Sequence, residues 1–361
     1  MPPLRFHWSM SSAGDKLRRA KARGALSGRP DLDALVRFCR RAEECGFESL
    51  LTAFSFARPD PLTLASALGM LTTKIKFMVA VRSGTISPTL FVQQVNTVAA
   101  LTGGRVCVNI VAGHTPDELR YYGDFLAHDE RYARTDEFLA ICNAFWRGDE
   151  PVDFEGAHYR VARGRLNVPF IAPDRARPEL FVGGNSALAE DLCIRHGDCL
   201  WRMPEPVETI RAAATRVLRA GKEVGILSSI IARPTRDAAV RAAHTLVAEI
   251  GIEAHATHQQ IERGLDSVAF RAMYAMARGD AEWPAPYLWT GAIPYFGAPS
   301  IALVGSFDEL AETLIAYKTA GISQFLFLGW PDLEEMTLFR DEVLPRVRAL
   351  EGLETRTKAI A

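Results

Sequence analysis

The sequence predicts an α/β fold, a (β/α)8 (TIM) barrel with insertion segments. Strand-like and amphipathic helical patterns alternate along the chain, which is typical of a parallel sheet flanked by helices. The strand patterns number eight, and polar residues gather where they end, at the face that carries the chemistry in barrel enzymes. The 361 residues, 48% of them hydrophobic, suffice for one large core. No linker composition divides the chain, so we predict a single domain over 1–361.

The elements follow from their hydrophobic periodicity. The segment 31–45 is typical of the helices, because Leu32 and Leu35 lie on one apolar stripe and Gly46 ends the pattern. The segment 131–146 repeats this pattern. The predicted strands are 4–7, 49–53, 75–81, 106–111, 180–182, 199–202, 224–232 and 324–328.

Two segments exceed what a minimal barrel needs, and we predict them to be insertions at 150–177 and 250–299. The first has strand-like alternation over 152–160 and a proline-rich exit, which predicts a hairpin. The second has a weak helical pattern, followed by an aromatic and proline-rich piece at 283–289. A loop of such length in a compact domain is either functional or disordered.

The balance of charge excludes several classes of partner. The chain has 42 basic and 43 acidic side chains and a formal net charge of −1, so no basic field attracts nucleic acid or an anionic membrane. Residues 1–10 lack the apolar run of a signal peptide, and no segment approaches the roughly 20 apolar residues that span a bilayer. We therefore expect a cytoplasmic protein that acts on small molecules.

Cysteine and histidine patterns argue against a metal site. The six cysteines are scattered and form no Cys-x-x-Cys pair, so we expect buried, reduced thiols. The eight histidines include neither His-x-His nor His-Glu-x-x-His. The sequence therefore predicts no metal. The cysteines are Cys39, Cys45, Cys107, Cys142, Cys193 and Cys199.

Two polar residues at predicted strand ends are candidates for binding. Asn109 ends the fourth strand pattern, and its amide offers both a donor and an acceptor to a ligand, although a turn-capping role is the alternative. Arg82 ends the third strand pattern. As a cation at a barrel mouth it would bind substrate, or it would only pair with a carboxylate such as Asp60. His114, after the fourth strand, is a further candidate.

A glycine-rich turn at 181–189 indicates a phosphate site. An apolar strand runs into Gly183 and Gly184, and a helix then starts at Asn185-Ser186. Glycine permits close backbone approach, and the free amides of a helix amino terminus suit a phosphate. The alternative is an ordinary turn with an asparagine or serine cap.

Four short motifs occur in a telling order: Ser-Pro-Thr at 87–89, Gly-Gly-Arg at 103–105, Asn-x-Val-x-Gly at 109–113 and Glu-Arg-Tyr at 130–132. In this order they resemble the bacterial luciferase-like flavin-dependent monooxygenases, most closely the alkanesulfonate monooxygenase branch. The resemblance covers nearly the whole chain. It implies a luciferase-like barrel in which the insertion at 250–299 is an active-site lid.

The resemblance also implies the cofactor, reduced FMN, with O2 as cosubstrate. The phosphate of FMN would be held at the glycine-rich turn and by a tyrosine hydroxyl, and the flavin ring would lie at the end of the fourth strand. Carried over to this sequence, the phosphate ligands are Gly184, Asn185, Ser186 and Tyr132, and the residues at the ring are Asn109 and Ala112.

The sequence departs from the sulfonate enzymes where those enzymes bind their substrate and transfer protons. Leu227 and Ser229 stand in place of an arginine and a histidine, and Arg58 in place of a cysteine. Tyr295 replaces an arginine of the lid, and Trp330 replaces a tyrosine near the last strand. Because a desolvated anion without donors costs several kcal/mol, we expect a neutral or largely apolar substrate, and not a simple alkanesulfonate.

The candidate catalytic residues are Arg58, Arg82, His128 and Trp330. Either arginine would hold one anionic end of a substrate. His128 belongs to the family's signature before the fourth helix, although a histidine here is equally well a helix-start contact. Aromatic side chains would keep the reaction dry, and the candidates for that wall are Phe6, Trp8, Phe54, Trp201 and Trp330.

The sequence therefore predicts a two-component, FMNH2-dependent monooxygenase. A separate NAD(P)H-dependent flavin reductase would supply the reduced flavin, because the closest resemblance implies a two-component system and no Gly-x-Gly-x-x-Gly fingerprint is visible. We expect a homodimer or homotetramer. Three alternatives stay open: an oxidoreductase that transfers hydride with the deazaflavin F420, an alkanesulfonate-type desulfonating monooxygenase, and a flavin-binding protein without catalysis.

Overall fold

Parallel strands close into a barrel in the computed structural model, which describes residues 2–10, 30–56, 58–113, 115–248, 259, 262–279, 282–328 and 332–360. In chain order the strands are β1 Arg5–Ser9, β2 Ser49–Thr52, β3 Lys76–Val81, β4 Val106–Ile110, β5 Val152–Glu155, β6 Arg160–Gly164, β7 Leu180–Gly183, β8 Cys199–Arg202, β9 Glu223–Arg233, β10 Leu288–Trp289, β11 Ala302–Ser306 and β12 Gln324–Phe327. The order β9-β12-β1-β2-β3-β4-β7-β8 is closed by pairing of β8 with β9. The predicted (β/α)8 barrel is confirmed, and all eight predicted strands belong to it.

Helices flank the barrel strands. They are α1 Leu32–Glu44, α2 Pro61–Met70, α3 Pro88–Thr102, α4 Pro116–Tyr121, α5 His128–Arg147, α6 Ala187–His196, α7 Val207–Arg219, α8 Arg236–Ala248, α9 Val268–Ala277, α10 Ile293–Phe296, α11 Phe307–Thr319, α12 Asp332–Leu338 and α13 Leu344–Ile360. Asp31 caps α1 by accepting the Ala34 N–H at 2.9 Å. Leu32, predicted on the apolar stripe of α1, is instead exposed, and the buried stripe begins at Leu35.

Strand β9 extends past the barrel, and its second half begins a small extension of the sheet. Its first half pairs with β8 and β12, and its second half pairs in parallel with β11. Strand β10 adds to β11 in antiparallel orientation. The sequence patterns do not predict β10 and β11, because β10 lies within a segment without clear periodicity and β11 finds its partner only in the extension of β9.

Successive side chains of each barrel strand point alternately into the barrel interior and outward toward the helices. In β1, Phe6 and Trp8 face the helices, where Trp8 packs on Phe47 with ring centroids 4.9 Å apart. His7 points into the barrel, where its ring centroid lies 5.5 Å from that of Trp201. Since successive side chains of a strand point to opposite faces, Phe6 and Trp8 pack in the outer core and do not form the dry wall predicted for them.

A polar network occupies the amino-terminal end of the barrel. Arg5 donates to Glu48 and to Glu179, each at 2.7 Å. The His7 ring lies between the Ser49 hydroxyl, at 2.8 Å, and the Gln324 side-chain oxygen, at 2.9 Å. Burial lowers the pKa of His7 to about 4, so the ring is neutral at physiological pH. Because this network fills the amino-terminal end of the barrel, a site is expected at the carboxyl-terminal end.

The segment between α5 and β7 contains an antiparallel hairpin, as its alternating pattern predicts, formed by β5 and β6. Helix α5 holds the turn of this hairpin, because the Glu137 carboxylate accepts the backbone N–H groups of Ala157, His158 and Tyr159 at 2.8 to 3.0 Å. The Tyr159 hydroxyl donates to the Ser83 carbonyl, directly after β3. The hairpin thereby supports the loop that carries Arg82.

All six cysteines are buried and free of disulfide bonds, as predicted. Burial raises the pKa of the Cys193 thiol to about 12, which keeps it protonated at neutral pH. Within the described ranges, no group of three or more His, Cys, Asp or Glu side chains is placed to hold a metal ion. In the same part of the chain, no helix is long and apolar enough to cross a membrane.

Candidate active site

A cavity of about 600 Å³ opens at the carboxyl ends of the barrel strands. Each of the eight strands, or the residue directly after it, contributes to the lining, so the cavity sits over the barrel axis. Its volume lies within the range of small-molecule and cofactor sites. The lining includes one such residue for each strand: Ser9, Leu51, Ala80, Asn109, Gly183, Trp201, Leu227 and, directly after β12, Leu328.

Most of the residues predicted for the site line this one cavity. They are Arg58, Arg82, Asn109, Ala112, His128, Tyr132, Gly184, Asn185, Ser186, Leu227 and Ser229. Tyr295 is an exception, because it does not belong to the lining. It lies on the short helix α10 directly before Phe296, which does line the cavity, and consecutive residues of a helix point about 100° apart. Trp330 and His114 lie outside the described residues.

One end of the cavity is the turn from β7 into α6. Ser186 caps α6 by accepting the Ala189 N–H at 3.2 Å, and the Asn185 side-chain oxygen accepts the Met203 N–H at 3.0 Å. Gly184 has φ +151°, and a Cβ on it would lie 2.7 Å from the Cβ of Ala189 and 3.3 Å from the Tyr132 hydroxyl. Only glycine fits this position without strain. The turn thus brings backbone and a helix amino terminus to the cavity.

Helix α5 supplies two aromatic residues to the same end. The Tyr132 ring centroid lies 5.1 Å from the His128 ring centroid, and the Tyr132 hydroxyl is near the Ser186 side chain. Burial raises the pKa of Tyr132 although Ser186 acts in the opposite direction, so the hydroxyl remains a donor at neutral pH. The Nδ1 atom of His128 lies 2.7 Å from Asp129, which fixes the ring.

Arg131, between these two residues, is structural. It is buried, and its three guanidinium nitrogens donate to the Ala112 carbonyl at 2.9 Å, the Leu126 carbonyl at 3.0 Å and the Asp266 carboxylate at 2.6 Å. It thereby joins the loop after β4, the start of α5 and the segment before α9. Residues of that last segment and of α9 line the cavity, among them Leu265, Ser267 and Phe270.

Arg82 lines the cavity directly after β3 and is 3% exposed. Its carboxylate partner is Glu118, at 3.3 Å, and not Asp60, which instead caps α2 by accepting the Thr63 N–H. The guanidinium carbon lies 4.9 Å from the centroid of the Phe54 ring. Sequence reasoning identified the cation but not its partner, because Glu118 comes from helix α4, which follows the next barrel strand.

Sequence reasoning also missed Arg202. This buried arginine ends β8, lines the cavity, and donates to Glu190 at 2.9 Å and to Glu205 at 3.4 Å, while its Nε atom has no partner. Asn185 contacts the same Glu205 at 3.5 Å, so Arg202 belongs to the turn before α6. Its position as the last residue of a predicted strand was the available signal, because strand ends meet at the site.

These features together define a (β/α)8 barrel whose cavity combines a helix amino terminus suited to a phosphate with a mixed apolar and cationic chamber. The sequence model of the luciferase-like monooxygenase family matches residues 4–324. The chain belongs to this family.

Several solved structures share the fold. A long-chain alkane monooxygenase matches with a TM-score of 0.75 and 18% identity, over 97% of this chain and 92% of that one. The oxygenating constituent of 3,6-diketocamphane monooxygenase from Pseudomonas putida, in complex with FMN, matches with a TM-score of 0.67 and 17% identity. This match covers 95% of this chain and 98% of that one. An F420-dependent secondary alcohol dehydrogenase matches with a TM-score of 0.66 and 18% identity, over 96% of this chain and 99% of that one. Monooxygenases and F420-dependent oxidoreductases therefore share this fold.

Proposed function

We propose that this protein is a flavin-dependent monooxygenase that uses reduced FMN and O2 to oxygenate a small, largely apolar organic molecule. The observation that carries the proposal is the side-chain oxygen of Asn109, which is buried at the cavity and has no hydrogen-bond partner. Buried polar atoms are nearly always satisfied. The uracil-like edge of a flavin ring presents donors and acceptors that match an amide.

The residues at the turn before α6 fit the phosphate end of FMN. Gly184 leaves room that a Cβ would fill, Asn185 and Ser186 lie at the amino terminus of α6, and Tyr132 offers a protonated hydroxyl. Arg202 adds a cation whose Nε donor is unused. On this proposal the ring lies toward Asn109 and Ala112.

Reduced flavin, when bound, supplies the electrons that activate O2. The protein's own contribution is to bind the substrate, orient it and exclude water. Apolar residues line the chamber beside Asn109, including Phe54, Trp201 and Leu227. Residues 265, 267–270, 274 and 296–300 line the same cavity, and we propose that the insertion at 250–299 acts as its lid. His128 and Arg58 are proposed to contact the substrate or the flavin.

The chamber favours a largely apolar substrate over a simple alkanesulfonate. Leu227 and Ser229 point into it from β9, where the sulfonate enzymes carry charged and proton-transfer groups. An anion with three oxygens would find fewer donors here than it needs to offset its desolvation.

The further parts of the proposal concern partners. A separate NAD(P)H-dependent flavin reductase supplies the reduced FMN in the cytoplasm, and the chain works as a single-domain homodimer or homotetramer. The similar protein from Pseudomonas putida is the oxygenating constituent of its monooxygenase, which supports a divided system. Light scattering of the purified protein tests the oligomer, and dependence of product formation on added reductase tests the partner.

Anaerobic titration with reduced FMN tests the cofactor assignment. We expect Tyr132→Phe and Ser186→Ala each to weaken binding by about tenfold, because each removes a hydrogen bond to a charged phosphate. Tyr121→Phe is the matched control, since Tyr121 is exposed and does not line the cavity. Unchanged affinity in both site variants would remove the assignment.

Turnover separates this function from the alternatives. Product formation from ketones, thioethers or amines with reduced FMN and O2 supports the monooxygenase. Turnover of a secondary alcohol with F420, without O2 consumption, would replace it with the hydride-transfer alternative. Release of sulfite from simple alkanesulfonates would restore the desulfonating alternative.

A further inference from the structure

The guanidinium of Arg82 is buried with most of its donors unused. Five N–H bonds surround such a group, yet its one carboxylate contact is Glu118 at 3.3 Å, and its Nε and Nη1 atoms have no partner. The Glu118 oxygen that faces Arg82 also accepts the Phe56 N–H at 3.1 Å, so it is shared. Burying a cation without hydrogen bonds is costly.

Two arginines away from the cavity do not show this deficit. Arg131 uses all three of its nitrogens, as described above. Arg105 uses all three as well, donating to the carbonyls of Thr102, Ile75 and Gly69. Neither of these lines the cavity. The unused donors of Arg82 therefore coincide with its position at the cavity.

The surroundings of Arg82 define what the donors would meet. Phe54 stacks under the guanidinium and packs against the apolar cluster inside the barrel, which includes Leu51, Ala80 and Trp201. These residues also line the cavity. A ligand here would rest an apolar body on that cluster and reach Arg82 with one end.

We propose that Arg82 is the subsite for a single oxyanion at the end of an otherwise apolar substrate. The inference deepens the proposed function and rests on it for the identity of the cavity as the substrate site. Arg82 has one carboxylate contact, Glu118, and keeps its Nε and Nη1 donors for a ligand at the cavity. Donors of one guanidinium match a single oxyanion group such as a carboxylate.

Isothermal titration calorimetry of the flavin-free protein tests the subsite with octanoate and its neutral analogue octanamide. The wild type should bind octanoate about tenfold more tightly, which is the value of one hydrogen bond to a charged group. Arg82→Met should abolish this preference, and Arg82→Lys should keep part of it. Glu118→Gln should strengthen octanoate binding and leave octanamide binding unchanged, because it removes the competing carboxylate.

Arg120→Met is the matched control. Arg120 lies on the same helix as Glu118 but is exposed and outside the cavity lining, so its loss tests long-range charge alone and should preserve the preference. Octane sulfonate distinguishes the headgroup: stronger binding than octanamide by either anion supports the subsite, and the tighter anion identifies its preferred form.

Three results would overturn the proposal: no octanoate preference in the wild type, a preference that survives Arg82→Met, or displacement of octanoate by FMN together with weaker FMN binding in Arg82→Met. The last result would assign Arg82 to the cofactor. Since this assay needs neither reduced flavin nor O2, its failure leaves the FMN titrations of the Tyr132 and Ser186 variants standing, and their failure leaves this assay standing.

Discussion

The two ends of the barrel differ in whether their buried polar groups have hydrogen-bond partners. At the amino end, Arg5 meets Glu48 and Glu179, and both ring nitrogens of His7 have partners. At the carboxyl end, Arg82 and Asn109 keep buried atoms without a partner, and so does Arg202.

This difference separates stability from function within one fold. Satisfied networks hold the strands together, whereas unsatisfied groups reduce stability until a ligand completes them. The two ends should therefore respond differently to substitution. Variants at the amino end should change unfolding without changing ligand binding, and variants at the carboxyl end should do the reverse.

The largest expected effect is on stability. Arg5→Met should lower the free energy of unfolding by about 2 to 3 kcal/mol, because the buried Glu179 loses its nearer cation and keeps only Arg175, at 3.6 Å. The value lies below that for a fully buried pair, since 25% of the Arg5 side chain is exposed. Urea unfolding measures the loss. FMN affinity should be unchanged, and a parallel loss of affinity would contradict the separation of the two ends.

Gly184→Val should weaken reduced FMN binding by about a hundredfold, because a side chain at φ +151° is strained and collides with Ala189. Gly183→Ala is the control. A Cβ at Gly183 would meet only Val111, at an ordinary 3.7 Å, so affinity should stay near that of the wild type. Equal losses in both variants would show that the turn tolerates neither change and that the φ argument is wrong.

Asn109→Leu should weaken FMN binding by about tenfold while stability stays equal or rises, because it removes an unsatisfied buried acceptor. Asn96→Leu is the matched comparison. Asn96 is equally buried, but it donates to the Val168 carbonyl at 2.7 Å and accepts from Trp146 at 2.9 Å. Its loss should lower stability and leave FMN binding intact. Thermal unfolding and flavin titration of both variants check this crossed pattern.

The smallest effect at neutral pH concerns His7, which is neutral there when folded. Burial lowers the pKa of His7 to about 4, below its ordinary 6.5. Its contribution to stability is therefore present above pH 6.5 and is lost as the pH falls toward 4. His7→Gln should flatten the pH dependence of unfolding in this window. An unchanged slope would show that other groups control it.

Local patterns predicted many of the residues that line the cavity. The residues of the turn at Gly184, Asn185 and Ser186, and Asn109 at the end of β4, all line one cavity, because strand periodicity and helix starts are encoded within short windows. Leu227 and Ser229 line it for the same reason, since alternation in β9 sends both to one face. These placements follow from sequence once the barrel is recognised.

Pairing between distant segments did not follow from sequence. Glu118 rather than Asp60 meets Arg82, and Arg202 joins the turn before α6 through Glu190 and Glu205. Such contacts depend on how loops of different lengths pack over the barrel.

By itself, then, the sequence determined the barrel, the face of the site and the strand-end residues, because hydrophobic periodicity and caps act over a few residues. Only the tertiary structure decided that β9 continues into a pairing with β11, that Tyr295 lies outside the cavity lining, and which donors remain unused. Satisfaction of a buried polar atom is a property of everything that surrounds it, and no local window contains those surroundings.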